Sequence, residues 1–234
     1  MVTKYESGDH SLVEAFKNMR TNLSINKDIK TIVVTSSEMN EGKTTTVSNL
    51  AKCFSDLENK KTLLIDCDLR KPSVHRHFNL ENKKGLTDII YGEENLSECL
   101  QYNDKLHILT CGRRPKNPAE MLESDVMINF IEAMKQRYDY IFIDSPPVSR
   151  VNDACIISKY VDGTIIISAS NEVDIDLAKL SKKRLEKVNA NIIGVILNKF
   201  KESDDKFYHY YGYGDEDIEN SKKSFLKKLF KKKR

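Results

Sequence analysis

The chain has 234 residues, 38 Lys/Arg against 35 Asp/Glu and a hydrophobic fraction of 39%, enough for one α/β domain with a sizeable core. Eight of the basic residues fall between Lys222 and Arg234, where there is no acid, so the remainder holds 30 basic against 35 acidic residues; the positive balance belongs to the end of the chain and gives no reason to expect a nucleic-acid partner. Cys53, Cys67, Cys99, Cys111 and Cys155 show neither paired metal-ligand spacing nor a disulfide framework, no signal peptide is seen, and no apolar run approaches the ~20 residues that cross a bilayer. The expectation is a soluble protein of a reducing cytosol, with one domain over 1–200 and a flexible tail over 201–234.

In chain order, Ser11 to Leu23 carries apolar residues at Leu12, Ala15, Phe16, Met19 and Leu23, a helical spacing. Glu14, Lys17 and Arg20 fall on the opposite face, three apart, as an ordinary solvated face with intrahelical ion pairs would have them. From Ile29 to Val47, IKTIVVTSSEMNEGKTTTV reads as a buried strand, a short polar loop and a helix N-terminus. That is the layout of a phosphate-binding loop, in which free backbone N–H groups and the helix dipole favour an anion. Gly42 lets the backbone approach, Lys43 is placed for the β and γ phosphates, and the Thr44 hydroxyl is placed to ligate Mg²⁺. Ser37, Asn40, Glu41 and Thr45 complete the expected cradle. Ser37 stands where the usual G-x-x-x-x-G-K-[ST] pattern begins with Gly.

Thr44 to Leu57 continues as a helix, and Lys61 to Asp68, KTLLIDCD, reads as the next strand. Its end carries Asp66 and Asp68, expected on one face of an extended chain and facing the ligand, since open α/β sheets bind at strand carboxyl ends. Pro72 stops the strand. A helix follows from Leu86 to Ile90, a second short one near Leu96, a strand from Leu106 to Cys111, and a helix opening at Pro118. His75, His77 and His107 lack ligand spacing and read as structural or surface residues. Tyr138 to Pro147, YDYIFIDSPP, ends an apolar run in Asp144. That is the form of a Walker B strand, or of an acid capping the next helix. Strands over Gly163 to Ala169 and Asn191 to Asn198, joined by a helix from about Asp176 to Val188, complete an alternating pattern that predicts a mostly parallel sheet with helices on both faces. Asn198 is either a reader of the nucleotide base or the start of a loop.

Phe207 to Gly214, FYHYYGYG, places Tyr208, Tyr210, Tyr211 and Tyr213 among acids too polar to bury them. They read as a stacking surface or as phosphate acceptors. At the end, SFLKKLFKKKR puts Phe225, Leu226, Leu229 and Phe230 on one face among lysines, as in a membrane-surface helix or a disordered solubilising tail.

Together SSEMNEGKTTT, LLIDCDLRKP, YIFIDSPP and the tyrosine cluster resemble the bacterial tyrosine kinases of capsule and exopolysaccharide synthesis, the cytoplasmic kinase half of Gram-positive systems, from about Val13 to Tyr213. The resemblance implies a P-loop NTPase-like α/β fold, ATP with Mg²⁺, and autophosphorylation of the four tyrosines in trans. It implies Lys43 and Thr44 as Walker A lysine and metal ligand, Asp66 and Asp68 as the Walker A′ acids and Asp144 as the Walker B acid, with Asp66 and Asp144 near the metal. Asp66 is the first choice for the carboxylate beside the attacking hydroxyl, and Asp68 the competitor. It further implies a transmembrane polysaccharide co-polymerase adaptor as activator, a cognate tyrosine phosphatase, and recruitment to the inner face of the membrane. The family's E-x-x-R-x-x-R helix helps form a ring of subunits, an octamer being the form considered. Here it reads Glu14-x-x-Lys17-x-x-Arg20, and lysine lacks arginine's bidentate fork. Met39-Asn40 replaces the family's usual Pro-Gly, a change expected to leave nucleotide binding intact. Two alternatives stand beside the kinase reading: a deviant-Walker ATPase, whose signature lysine position is Glu38 here, and an ATP-binding scaffold without turnover.

Overall fold

The computed structural model describes residues 10–200, and the elements run α1 (His10–Ser24), β1 (Thr31–Ser36), α2 (Lys43–Ser55), β2 (Thr62–Asp66), α3 (Val74–Phe78), α4 (Leu86–Ile90), α5 (Leu96–Cys99), β3 (Leu100–Asn103), β4 (Leu106–Leu109), α6 (Pro118–Glu123), α7 (Asp125–Lys135), β5 (Tyr140–Asp144), α8 (Asp153–Ile157), β6 (Gly163–Ala169), α9 (Ile175–Lys187) and β7 (Ile192–Asn198). The tyrosine cluster and the basic end lie outside the described residues.

The central strands read TIVVTS, TLLID and YIFID and are buried almost throughout, because helices cover both faces of a parallel sheet. The strand order is β3-β4-β2-β5-β1-β6-β7. All pairs are parallel except β3 with β4, so the carboxyl ends of β4, β2, β5, β1, β6 and β7 share one edge. Strand alternation divides the apolar residues between two cores. Ile32, Val34, Leu64 and Phe142 pack with Phe16 of α1 and Val47, Leu50 and Phe54 of α2, while Val33, Leu63, Ile65, Ile141 and Ile143 pack with Met121, Met127 and Ile131 of α6 and α7. Phe54 stands edge-on to Phe142 with centroids 5.0 Å apart, a geometry aromatic quadrupoles favour. Burying Phe54 and Phe142 fully contributes roughly 2–3 kcal/mol for each ring.

Three differences from the sequence expectation have physical reasons. Strand β3 was not anticipated because LQYN is only partly buried and lies at an antiparallel edge, where the apolar run is not required. Strand β2 ends at Asp66, not Asp68, because Asp66 Oδ1 accepts from the Asp68 N–H (3.1 Å) and turns the chain. Asp68 therefore reaches the site from a loop. On α1, Arg20 does not lie on the solvated face: its Nη1 donates to the Cys53 carbonyl (2.7 Å), at the end of α2. Glu14 and Lys17 remain exposed, 3.8 Å apart.

Asn and Asp supply most of the left-handed turns. Asn40, Asn59, Asn79, Asp104, Asn171 and Asn189 all have φ between 52° and 66°, conformations these side chains tolerate better than most.

Asp162 fixes the entry of β1. Its Oδ2 accepts from the N–H groups of Lys30 (3.1 Å) and Thr31 (2.8 Å), and its Oδ1 from Lys135 Nζ (3.2 Å). Burial alone would raise its pKa, but the two backbone bonds and Lys135 outweigh it and hold the carboxyl below its ordinary value of 3.8. A carboxylate with a depressed folded pKa stabilises above the unfolded value, and that stabilisation disappears as pH falls through the folded value. Asp162→Ala is expected to lower stability by about 2–3 kcal/mol at pH 7, with the gap narrowing below pH 4; urea midpoints across that range measure it.

Candidate active site

The loop between β1 and α2 lies at the carboxyl edge of the sheet. Gly42 precedes α2 at φ +86°, and no side chain caps the helix, so its first N–H groups remain for an anion. A Cβ on Gly42 would stand 2.2 Å from Asn198 Nδ2. That nitrogen donates to the Glu41 carbonyl (2.8 Å). Asn198 thus reaches the phosphate loop from the end of β7, 157 residues away. Gly42→Ala is expected to cost about 1–2 kcal/mol for the left-handed backbone and about 1 kcal/mol more for the displaced Asn198 bond. Thermal melts of Gly42→Ala alone and with Asn198→Ala separate the two, the double variant losing less than the sum.

The remaining loop residues hold the cradle in shape. Glu41 is buried, and its carboxylate accepts from the backbone N–H groups of Glu38 and Ala169, tying the loop to the end of β6. Burial raises its pKa despite those bonds. Glu41 therefore serves the loop rather than presenting a charge to a ligand. Glu38 accepts from Ser149 Oγ (3.0 Å) and from Arg150 Nη2 (2.9 Å) and Nε (3.1 Å). Burial works against its charge, and the bonds to Ser149 and Arg150 prevail and lower its pKa. Ser37 is buried, and its Oγ has no hydrogen-bond partner among the described residues. Asn40 is exposed at φ 66°, so it adopts the backbone a glycine would supply. Thr45 is half-buried on the first turn of α2.

Behind the loop lies a cluster of one cation and three acids. Lys43 Nζ is 3.3 Å from Asp68 Oδ2 and 3.9 Å from Asp144 Oδ1. The Thr44 hydroxyl is 2.6 Å from Asp144 Oδ2 and 2.9 Å from Ser73 Oγ. Asp66 is fully buried, and its Oδ2 accepts from the N–H groups of Ser73 and Val74, each at 3.0 Å. Asp68 accepts from the Lys71 N–H (3.0 Å) and keeps its other oxygen on Lys43. Burial and the neighbouring Asp144 push Asp66 up to about 8, and burial pushes Asp144 up to about 6 against the pull of Lys43 and Thr44. For Lys43, burial disfavours the charge, and Asp144 and Asp68 more than offset it, raising its pKa. The cluster is short of positive charge. Among the described residues Asp144 Oδ1 is buried without a hydrogen-bond partner, which is costly unless something else satisfies it.

The structure brings Lys43, Thr44, Asp66, Asp68 and Asp144 together, with Asn198 flanking the loop, and leaves Glu14 and Lys17 on the surface of α1. Sequence reasoning missed Ser73, Ser149, Arg150 and the pair Arg70 with Asp153. In that pair the guanidinium donates to both carboxylate oxygens, at 2.9 and 3.1 Å, and pins the loop that carries Asp68. The two partners are 83 residues apart, and no local pattern announces them.

The chain is similar to known proteins. The profile of a family described as an AAA domain matches residues 29–174. The tyrosine-protein kinase YwqD of Bacillus subtilis is 36% identical over 207 residues, covering 86% of this chain and 87% of that protein. Among solved structures, the chimerical protein CapA2B2 superposes with a TM-score of 0.80 at 31% identity, over 85% of this chain and 89% of that one. The kinase domain of the Escherichia coli tyrosine kinase ETK gives 0.78 at 30%, over 82% and 77%.

Proposed function

Since this chain belongs to the bacterial protein-tyrosine kinases, we propose that it transfers the γ-phosphoryl group of ATP to Tyr208, Tyr210, Tyr211 and Tyr213 of a neighbouring copy, and that this regulates capsular or exopolysaccharide synthesis and export. The observation that carries the reading is the Thr44 to Asp144 contact of 2.6 Å beside Lys43 and Asp68, at an uncapped helix N-terminus.

The α2 N–H groups, with Gly42 and Thr45, bind the phosphates, and Lys43 neutralises charge that moves toward the β–γ bridge. The residues fit Mg²⁺. One lysine stands against Asp66, Asp68 and Asp144, Asp144 Oδ1 accepts no hydrogen bond among the described residues, and the available donors are oxygens, as a hard divalent cation requires. Thr44 and Asp144 would hold the ion and Asp66 would support them from behind. Mg²⁺, when bound, supplies charge neutralisation on the phosphate oxygens and fixes their orientation. Of Asp66 and Asp68, Asp68 is our choice to accept the tyrosine proton. Its Oδ2 faces the Lys43 side of the site, whereas both Asp66 oxygens are occupied by backbone N–H groups. Ser37 lines the loop, and Asn40 and Glu41 give it its shape. Asn198, whose Nδ2 is engaged, offers its Oδ1 toward the base.

The acceptor tail of one copy reaches the site of the next within a ring whose contact includes Glu14 and Lys17, with Arg20 steadying α1 on α2. Among the described residues no helix is long and apolar enough to cross a membrane. Recruitment to the membrane is therefore proposed through a transmembrane co-polymerase adaptor, with a tyrosine phosphatase opposing the kinase and 222–234 available to a lipid surface. Glu38, engaged with Ser149 and Arg150, occupies the position where a partitioning ATPase would need a cation, which disfavours that mechanism.

Mixing wild type with full-length Lys43→Met, distinguishable by mass, tests transfer between copies. Phosphate on the tyrosines of the Lys43→Met chain is expected. Label confined to wild type would contradict transfer in trans.

A further inference from the structure

Strands β2 and β4 are parallel neighbours in register Ile65 to Leu109, so the segments leaving them, 67–72 and 110–117, emerge side by side at the edge that carries the active site. The second segment reads TCGRRPKN and is firmly anchored. The Asn82 amide holds Gly112 through both its N–H (3.0 Å) and its carbonyl (3.2 Å). Asp88 accepts from Arg113 Nε (2.6 Å) and from the Gly85 N–H (2.9 Å). Gly85 passes so close to Gly112 that a Cβ on Gly85 would stand 2.4 Å from the Gly112 nitrogen.

Of the acids in this neighbourhood outside the active site, Asp153 is engaged with Arg70, Asp88 and Glu93 with Arg113, and Glu120 with the side-chain amide of Asn117. Lys71, Arg114 and Lys116 are exposed and have no carboxylate partner among the described residues. The anchored segment thus carries Arg114 and Lys116 next to the segment that holds Asp68 and Lys71. Three scattered cations are too few to hold an anionic membrane, but they match the chain's own acceptor segment. Tyr213 is followed by Asp215, Glu216, Asp217 and Glu219.

The reach also agrees. β4 lies three strand spacings from β1, about 14 Å, and residues two to six beyond a tyrosine in an extended chain span about 7–20 Å.

We propose that Arg114 and Lys116, with Lys71, dock the acidic residues that follow the acceptor tyrosines, so that the enzyme selects tyrosines in acidic segments. This deepens the kinase reading and rests on it for the identity of the segment. Surface pairs of this kind act mainly through complementarity and are weakened by salt.

Binding can be read without catalysis, by fluorescence anisotropy of a labelled, unphosphorylated peptide of residues 201–220 titrated with the full chain. The acidic peptide is expected to bind about tenfold more tightly than one with Asp215→Asn, Glu216→Gln, Asp217→Asn and Glu219→Gln. Arg114→Ala with Lys116→Ala should remove that preference and raise KM for the peptide with little change in kcat or in KM for ATP. Arg114→Glu with Lys116→Glu should instead prefer a peptide carrying lysines at the four positions. Equal binding of the acidic and neutral peptides by wild type would overturn the proposal. So would a double variant that loses ATP affinity or binding to phosphatidylglycerol vesicles while keeping the peptide preference. Failure to form phosphotyrosine on a peptide that shows the charge preference would contradict the kinase reading and leave the docking rim supported.

Discussion

Asp144→Asn is expected to abolish tyrosine phosphorylation, by about a thousandfold or more, and at the same time to raise the thermal midpoint of the metal-free protein above pH 6. The loss of activity follows from removing the carboxylate that faces Thr44 and whose Oδ1 accepts no hydrogen bond among the described residues. The gain in stability follows from the raised pKa of about 6. A group whose folded pKa lies above its unfolded value stabilises the fold fully below the unfolded value, near 3.8, and loses that contribution as pH rises through about 6. Above that, ionised Asp144 costs on the order of 2–3 kcal/mol. Asparagine has no proton to lose, so the advantage of the variant should grow between pH 4 and 6 and then level off. It has room to bond similarly, its oxygen toward Lys43 and its NH₂ toward the Thr44 hydroxyl. Added Mg²⁺ with nucleotide should then stabilise wild type and leave the variant unmoved. Calorimetric melts at pH 5 and pH 8, with and without Mg²⁺, give all four comparisons. A variant no more stable than wild type at pH 8 would refute the claim that this acid is held at a cost for its function.

Lys43→Met is expected to act in the opposite sense on stability while also silencing the kinase. The lysine is the one cation within ion-pair distance of Asp68 and Asp144 among the described residues. Without it three buried acids remain in mutual repulsion, and breaking such a contact costs about 3–5 kcal/mol. The acids relieve part of this by binding protons. The melting temperature should therefore fall most at pH 8 and recover toward pH 5, a pH dependence steeper than that of wild type. Phosphoryl transfer should drop about a thousandfold, since the charge opposing the leaving phosphate is gone. A variant that melts like wild type at pH 8 would show that Lys43 is not what balances the cluster.

Much of this site is legible in the sequence, because its parts lie at ends of buried strands and beside a helix start, where local patterns are strong. Lys43, Thr44, Asp66 and Asp144 follow from such patterns. Asp68 was found for a reason the structure revises: the strand ends at Asp66, and a turn closed by the Asp66 carboxylate brings Asp68 to Lys43. Asn40 in place of glycine is harmless to the loop geometry because asparagine accepts φ 66°. What stayed hidden is long-range. Glu38 meets Arg150 at a separation of 112 residues and Asn198 meets Glu41 at 157, and neither pair leaves a periodic trace. The short elements β3 and α8 were hidden for another reason: β3 is only partly buried, and the five residues of α8 are all buried, so neither shows an alternation of apolar and polar positions.

The central claim is that this site phosphorylates tyrosine and that the acceptors belong to the chain itself. Its most direct test is to incubate the purified full-length protein with Mg-ATP and map phosphate by tandem mass spectrometry. Phosphotyrosine is expected among Tyr208, Tyr210, Tyr211 and Tyr213, absent when all four are replaced by phenylalanine and absent from Lys43→Met alone. Hydrolysis of ATP with no tyrosine labelled, in the presence of the cytoplasmic segment of the proposed adaptor as well as without it, would contradict that claim.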